Sequence, residues 1–213
     1  MSVLDVLTIL VLLYVGRQLV LAARLAWASR QRMGLIVRGL RPRHFLGAVP
    51  TFAAVLAVAI VLIQLPVLSF GWWTAIGGEG NPVIGATDRT SGSVLEIVVP
   101  VVFLSLLFVA LPLLVEREEL IFRSGAENRT LAANVRRALE FGLAHAVIGI
   151  PIGAALALSI GGAYLTAMYL LGWRRTHTRF GALLESTRAH LAYNLVILTL
   201  VFVTILLAYA FGL

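Results

Sequence analysis

FAAVLAVAIVLIQLPVL, residues 52–68, decides the fold class. It lies inside a run from Leu46 to Phe70 that carries no formal charge. A run of this length matches the roughly 20 apolar residues that cross a bilayer core, where the backbone satisfies its hydrogen bonds most simply as a helix. The rest of the chain repeats the pattern. Of its 213 residues 60% are hydrophobic and 13% charged, against about half and about a quarter in a soluble domain. The expected fold is all-α, a polytopic transmembrane bundle of about six helices.

Working outward, Val3 to about Trp27 is apolar apart from Asp5, Arg17 and Arg24. No positive residue precedes it, as a cleavable signal would need, so a retained helix is expected. Arg17 reads as a side chain snorkelling to an interface. The third run, Val94 to Val115, passes into EREELIFR, residues 116–123, and its helix is expected to continue into those charges. Phe141 to Trp173 is uncharged over 33 residues, which suits two helices, about 131–150 and 154–173. Their turn falls in Gly149-Ile150-Pro151-Ile152-Gly153, where proline removes a donor and glycine permits tight geometry. The same stretch matches GxxxG, although its proline favours a turn. A sixth helix spans roughly 187–211.

All seventeen basic residues are arginine, as GC-rich codon usage would give, and a bacterial cytoplasmic membrane is the expected location. Fifteen of them fall after the first, third and fifth helices and one, Arg89, in the opposite loop, Gly71 to Ser93. Positive charge retained in the cytosol then places both termini outside it. This distribution also accounts for the net charge of +7 without nucleic acid, which is not an expected partner. The lipid bilayer is. The absence of cysteine excludes disulfides and thiol catalysis, and the 71–93 loop fits neither a P-loop nor a dinucleotide fingerprint. The sequon Asn128-Arg129-Thr130 reads as chance.

Sparse polar residues near the bilayer must be solvated, paired or useful. Three groups stand out. In Glu118-Glu119-Leu120-Ile121-Phe122-Arg123, Glu119 and Arg123 are spaced to pair along one helical face. Glu118, turned about 100° from Glu119, stays free to point into the bundle. Phe141 and His145 share a face one turn apart, as do His190 and Asn194. By the topology above, all three groups are expected toward the cytosolic ends. Taken singly, each has a plainer reading: an interfacial charge cluster, a hydrogen-bonded core histidine, and interhelical glue. Together they offer a carboxylate, two imidazoles and an amide, the parts needed to activate water and hold an oxyanion.

EExxxR, then FxxxH, then HxxxN, in that order on successive helices, resembles the CAAX prenyl protease and bacteriocin-processing family, also called abortive-infection proteins. The resemblance covers about residues 94–213, and the first two helices, within 1–93, add nothing to it. It implies an intramembrane glutamate protease with a four-helix catalytic core. Glu118, with His145, would activate the attacking water. His190 and Asn194 would stabilise the oxyanion, and Glu119, Arg123 and Phe141 would support them. The substrate class would be a peptide or membrane protein, cleaved near the cytosolic face. No cofactor is expected. Zinc held by Glu118, His145 and His190 is the lesser alternative, since the sequence has no HExxH. The pattern departs at Thr176–Ala189, which only weakly resembles the stretch that usually precedes the last histidine motif, and at Glu140, read here as pairing with Arg136. A non-catalytic protein of the same fold, acting in bacteriocin immunity or as a scaffold, is the alternative from another class. A small-solute transporter is a third, disfavoured by the lack of a polar path across the bundle.

Overall fold

The computed structural model describes residues 3–81, 83, 86–87 and 91–211, with backbone only at 86–87, 205–206 and 208–211. Arg89, the one arginine expected on the opposite side, lies outside the described residues. Helix takes up 82% of the structure, and the all-α class follows. Among the described residues eight α-helices run in order: α1 Val3–Ala28, α2 Arg30–Val37, α3 Pro42–Leu62, α4 Trp72–Ala75, α5 Leu95–Phe122, α6 Leu131–Ala144, α7 Ile152–Thr176 and α8 Arg179–Phe211. A two-residue antiparallel pair, β1 Gly80–Asn81 with β2 Ala86–Thr87, is the strand found among the described residues. Five of the helices are long and apolar enough to cross a membrane: α1, α3, α5, α7 and α8. The chain is an integral membrane protein.

The expected span at about 131–150 is not among these five, since α6 carries Arg136, Arg137 and Glu140. The 14 residues of α6 run into a 3₁₀ turn, His145–Ile148, about 29 Å together at the usual rises per residue, close to a bilayer core of ~30 Å. Hydrogen bonds fix its far end: Trp72 Nε1 donates to the Val147 carbonyl at 3.1 Å and Ile152 N to the Phe70 carbonyl at 3.0 Å. The bend at 149–151 therefore lies beside 68–81, while the start of α6 lies near the ends of α5 and α7. Gly149, at φ 87°, takes the left-handed conformation that the bend demands.

Local chemistry sets the boundaries. Pro42 opens α3 at its first position, where its missing N–H is no loss. The helix ends at Leu62, short of the expected Phe70, because the ring of Pro66 opposes the carbonyl four residues back. Thr130 caps α6 by accepting from Ala133 N at 3.2 Å. At the other end of the chain, α8 begins at Arg179, earlier than the expected 187. Thr178 accepts there from Gly181 N at 3.1 Å, and Ala182 to Thr187 are all buried.

Small residues let α6 and α7 approach closely. A Cβ at Gly142 would strike the Ala155 carbonyl and stand 2.7 Å from Ser159 N, and one at Gly162 would stand 2.8 Å from the Ala138 carbonyl. Backbone atoms are poor at giving way. Gly142→Val is therefore expected to lower stability by about 1–3 kcal/mol, read from thermal unfolding in detergent. Against this pair α8 packs Leu184 and Leu191 into a cluster with Ile36 of α2 and Leu111 and Val115 of α5. Ala48 of α3 packs on Ala192 and Tyr193, so the N-terminal helices reach the same core.

Candidate functional site

Glu119 is fully buried near the end of α5. Its carboxylate accepts from His190 Nδ1 at 2.8 Å and from the Ser186 hydroxyl, and forms an ion pair with Arg123 Nη1 at 3.4 Å. The expected pairing of Glu119 with Arg123 is thus present. Arg123 is also buried. Its other Nη donates to the Gly162 carbonyl at 3.3 Å, and its guanidinium lies 4.0 Å from the centroid of the Phe141 ring, a cation–π contact.

The second imidazole nitrogen of His190 faces outward from this anchor. Nε2 stands 3.7 Å from Glu118 Oε2, an oxygen that is buried and has no hydrogen-bond partner among the described residues. The Glu118 side chain as a whole keeps 36% exposure. One carboxylate therefore holds the histidine and the other meets its free edge. The Phe141 ring lies edge-on to both imidazoles, at 5.5 Å from His190 and 4.7 Å from His145.

His145 caps the C-terminal end of α6, one turn before the bend beside 68–81, with its ring against the same Phe141 ring that His190 meets. Its Nδ1 is 2.8 Å from the Phe141 carbonyl. A carbonyl only accepts, so Nδ1 is the donor in this bond. Among the described residues no hydrogen bond or ion pair joins His145 to Glu118; the imidazole facing Glu118 is that of His190. The reason lies in helix placement, because α8 packs on α5 whereas His145 is tied back to its own helix. Asn194 lies one turn beyond His190 and is half-buried. Its amide makes no hydrogen bond among the described residues.

Two features escaped the sequence reading. Ser186 lies four residues before His190, and Ser186, His190 and Asn194 form one stripe on α8. That spacing was visible, but the arginine-rich stretch around it reads as a loop. The other is a buried cluster one residue away. Glu185 of α8 pairs with Arg43 at 2.9 Å, His44 Nε2 at 3.4 Å and Arg175 at 3.5 Å, joining α3, α7 and α8. His44 Nδ1 accepts from Arg41 N at 3.0 Å, which turns Nε2 toward Glu185. Glu140 pairs with Arg136 at 3.3 Å as expected, and also with Arg137 at 2.8 Å.

For zinc, three ligands of suitable type would have to converge. Among the described residues no three of His, Cys, Asp or Glu are grouped to hold a metal ion. Compared with protein-family models, with curated proteins and with solved structures, the chain matches none.

Proposed function

We propose that this chain is an intramembrane endopeptidase of the glutamate type, hydrolysing a peptide bond in a peptide or membrane-protein substrate. The observation that carries the proposal is the buried Glu119–His190 pair, which aims His190 Nε2 at the unpartnered oxygen of Glu118. Glu118 acts as general base. It takes a proton from water, whose oxygen attacks the scissile carbonyl carbon. Glu118 then returns that proton to the leaving amine as the carbon–nitrogen bond breaks. His190, held by Glu119, and Asn194, one turn on, supply donors to the oxyanion. Such donors are most effective where water is excluded and the groups are fixed in advance. His145 lies against the same Phe141 ring as His190. The arginine-rich end, which faces the cytosol by the distribution of positive charge, is where Glu118 lies, so cleavage takes place near that face. The resemblance to the CAAX protease and bacteriocin-processing family agrees with this reading.

The test is cleavage of a quenched-fluorescent membrane-peptide library by detergent-purified protein. His145→Ala is expected to lower the rate by about 10²-fold, and a chelator is expected to leave the wild type unchanged. Chelator sensitivity would instead point to metal chemistry. Folded wild-type protein that cleaves nothing would favour the non-catalytic immunity or scaffold reading.

A further inference from the structure

Several arginines at the basic end of the bundle have a glutamate: Arg32 pairs with Glu116, Arg43 and Arg175 with Glu185, Arg179 with Glu127. A groove between α2 and α8 gathers arginines that have no such pair among the described residues. Its volume is about 650 Å³, and Arg30, Gln31, Gly34, Leu35, Arg38, Gly39 and Arg188 line it, with no carboxylate among them. Arg30, Gly34 and Arg38 recur every four residues and share one face of α2. The glycine between the two arginines leaves a gap where any side chain would stand.

Arg188 closes the other side. Its guanidinium donates to the Leu35 carbonyl at 2.9 Å and the Ile36 carbonyl at 3.4 Å. It can seat there because residue 39 is glycine: a Cβ on Gly39 would collide with it. Neither Arg30 nor Arg38 pairs with a carboxylate among the described residues. Arg30 instead lies 5.1 Å from the Trp27 ring centroid. Three arginines line this groove with no carboxylate in its wall, although Glu185 lies within electrostatic reach of Arg188, and together they make a site for a phosphate, which takes paired N–H donors.

We propose that this groove binds the headgroup phosphate of an anionic phospholipid. The surroundings favour a lipid over a free anion. The groove begins two residues past the end of the α1 span, at the level where an interface falls. Beside it Trp27 is 67% and Leu35 42% exposed, apolar surface suited to acyl chains next to a polar head. The site is separate from the Glu118–His190 pair and does not depend on the activity proposed above.

The experiment is a native mass spectrometry titration of the detergent-solubilised full chain with phosphatidylglycerol, phosphatidylcholine and glycerol 3-phosphate. The wild type should hold one phosphatidylglycerol, at least tenfold more tightly than either other ligand. R30Q/R38Q should weaken it by about 30-fold, from ~1 kcal/mol per arginine. R136Q/R174Q, which removes the same charge elsewhere, should change it by less than about twofold. Gly34→Leu keeps every charge and fills the groove; it should weaken binding by at least about tenfold. Equal losses in the two double variants, or unchanged binding by Gly34→Leu, would overturn the site. Equally tight phosphatidylcholine would overturn phosphate recognition by charge, and equally tight glycerol 3-phosphate would overturn the lipid as its ligand.

Discussion

Glu118→Gln is expected to reduce kcat/KM for peptide cleavage by about 10²–10⁴-fold, the contribution typical of a positioned general base, while thermal unfolding in detergent changes by less than about 0.5 kcal/mol. The asymmetry follows from what surrounds Glu118. Its neighbour Glu119 already supplies the counter-charge for Arg123, so neutralising Glu118 strands no buried cation. Its distance of 3.7 Å from His190 Nε2 exceeds a hydrogen bond, and its side chain is partly exposed. The glutamine keeps shape and polarity and loses only the ability to accept a proton. Rates should be compared at saturating and at low peptide. Loss in kcat with KM little changed marks a group that acts in the transition state. A Glu118→Gln protein that still cleaves at the wild-type rate would remove Glu118 from the base role, and the geometry offers His190 Nε2 as its replacement.

How much of this was legible depends on the range of the interaction. Glu119–Arg123 and Glu140–Arg136 were readable because a helix fixes which residues four apart share a face. The same rule separated Glu118 from Glu119 and put His190 above Asn194. The bend at 149–151 was readable from proline and glycine, whose backbone limits are local. What failed was tertiary. The sixth helix was expected only from about 187, since nothing local shows that Glu185 meets Arg43, His44 and Arg175, or that Arg179 meets Glu127. With those charges paired across helices, α8 extends back to Arg179 and carries Ser186 to Glu119. Which imidazole stands nearest Glu118 was not legible for a related reason. Spacing places a side chain on a helix face, whereas only packing decides which helix that face meets, and α5 meets α8.

Glu119→Ala is expected to destabilise the fold by about 3–5 kcal/mol, the usual cost of removing one partner of a buried ion pair. The loss is large because three groups depend on one carboxylate. Arg123 would remain buried as an uncompensated cation, and His190 Nδ1 and the Ser186 hydroxyl would lose their acceptor. Ser186 retains a bond to the Leu165 carbonyl at 3.2 Å, so its share is the smallest. The double variant Glu119→Met/Arg123→Met separates folding from function. It replaces both charges with apolar groups of similar length, and such replacements are often neutral or stabilising, so most of the lost stability should return. Cleavage should not, because His190 would still lack the group that aims Nε2 at Glu118. Thermal unfolding and peptide cleavage measured on the same preparations decide the matter. Activity that recovers together with stability would show that Glu119 serves the fold alone, and the anchoring role assigned to it would fall.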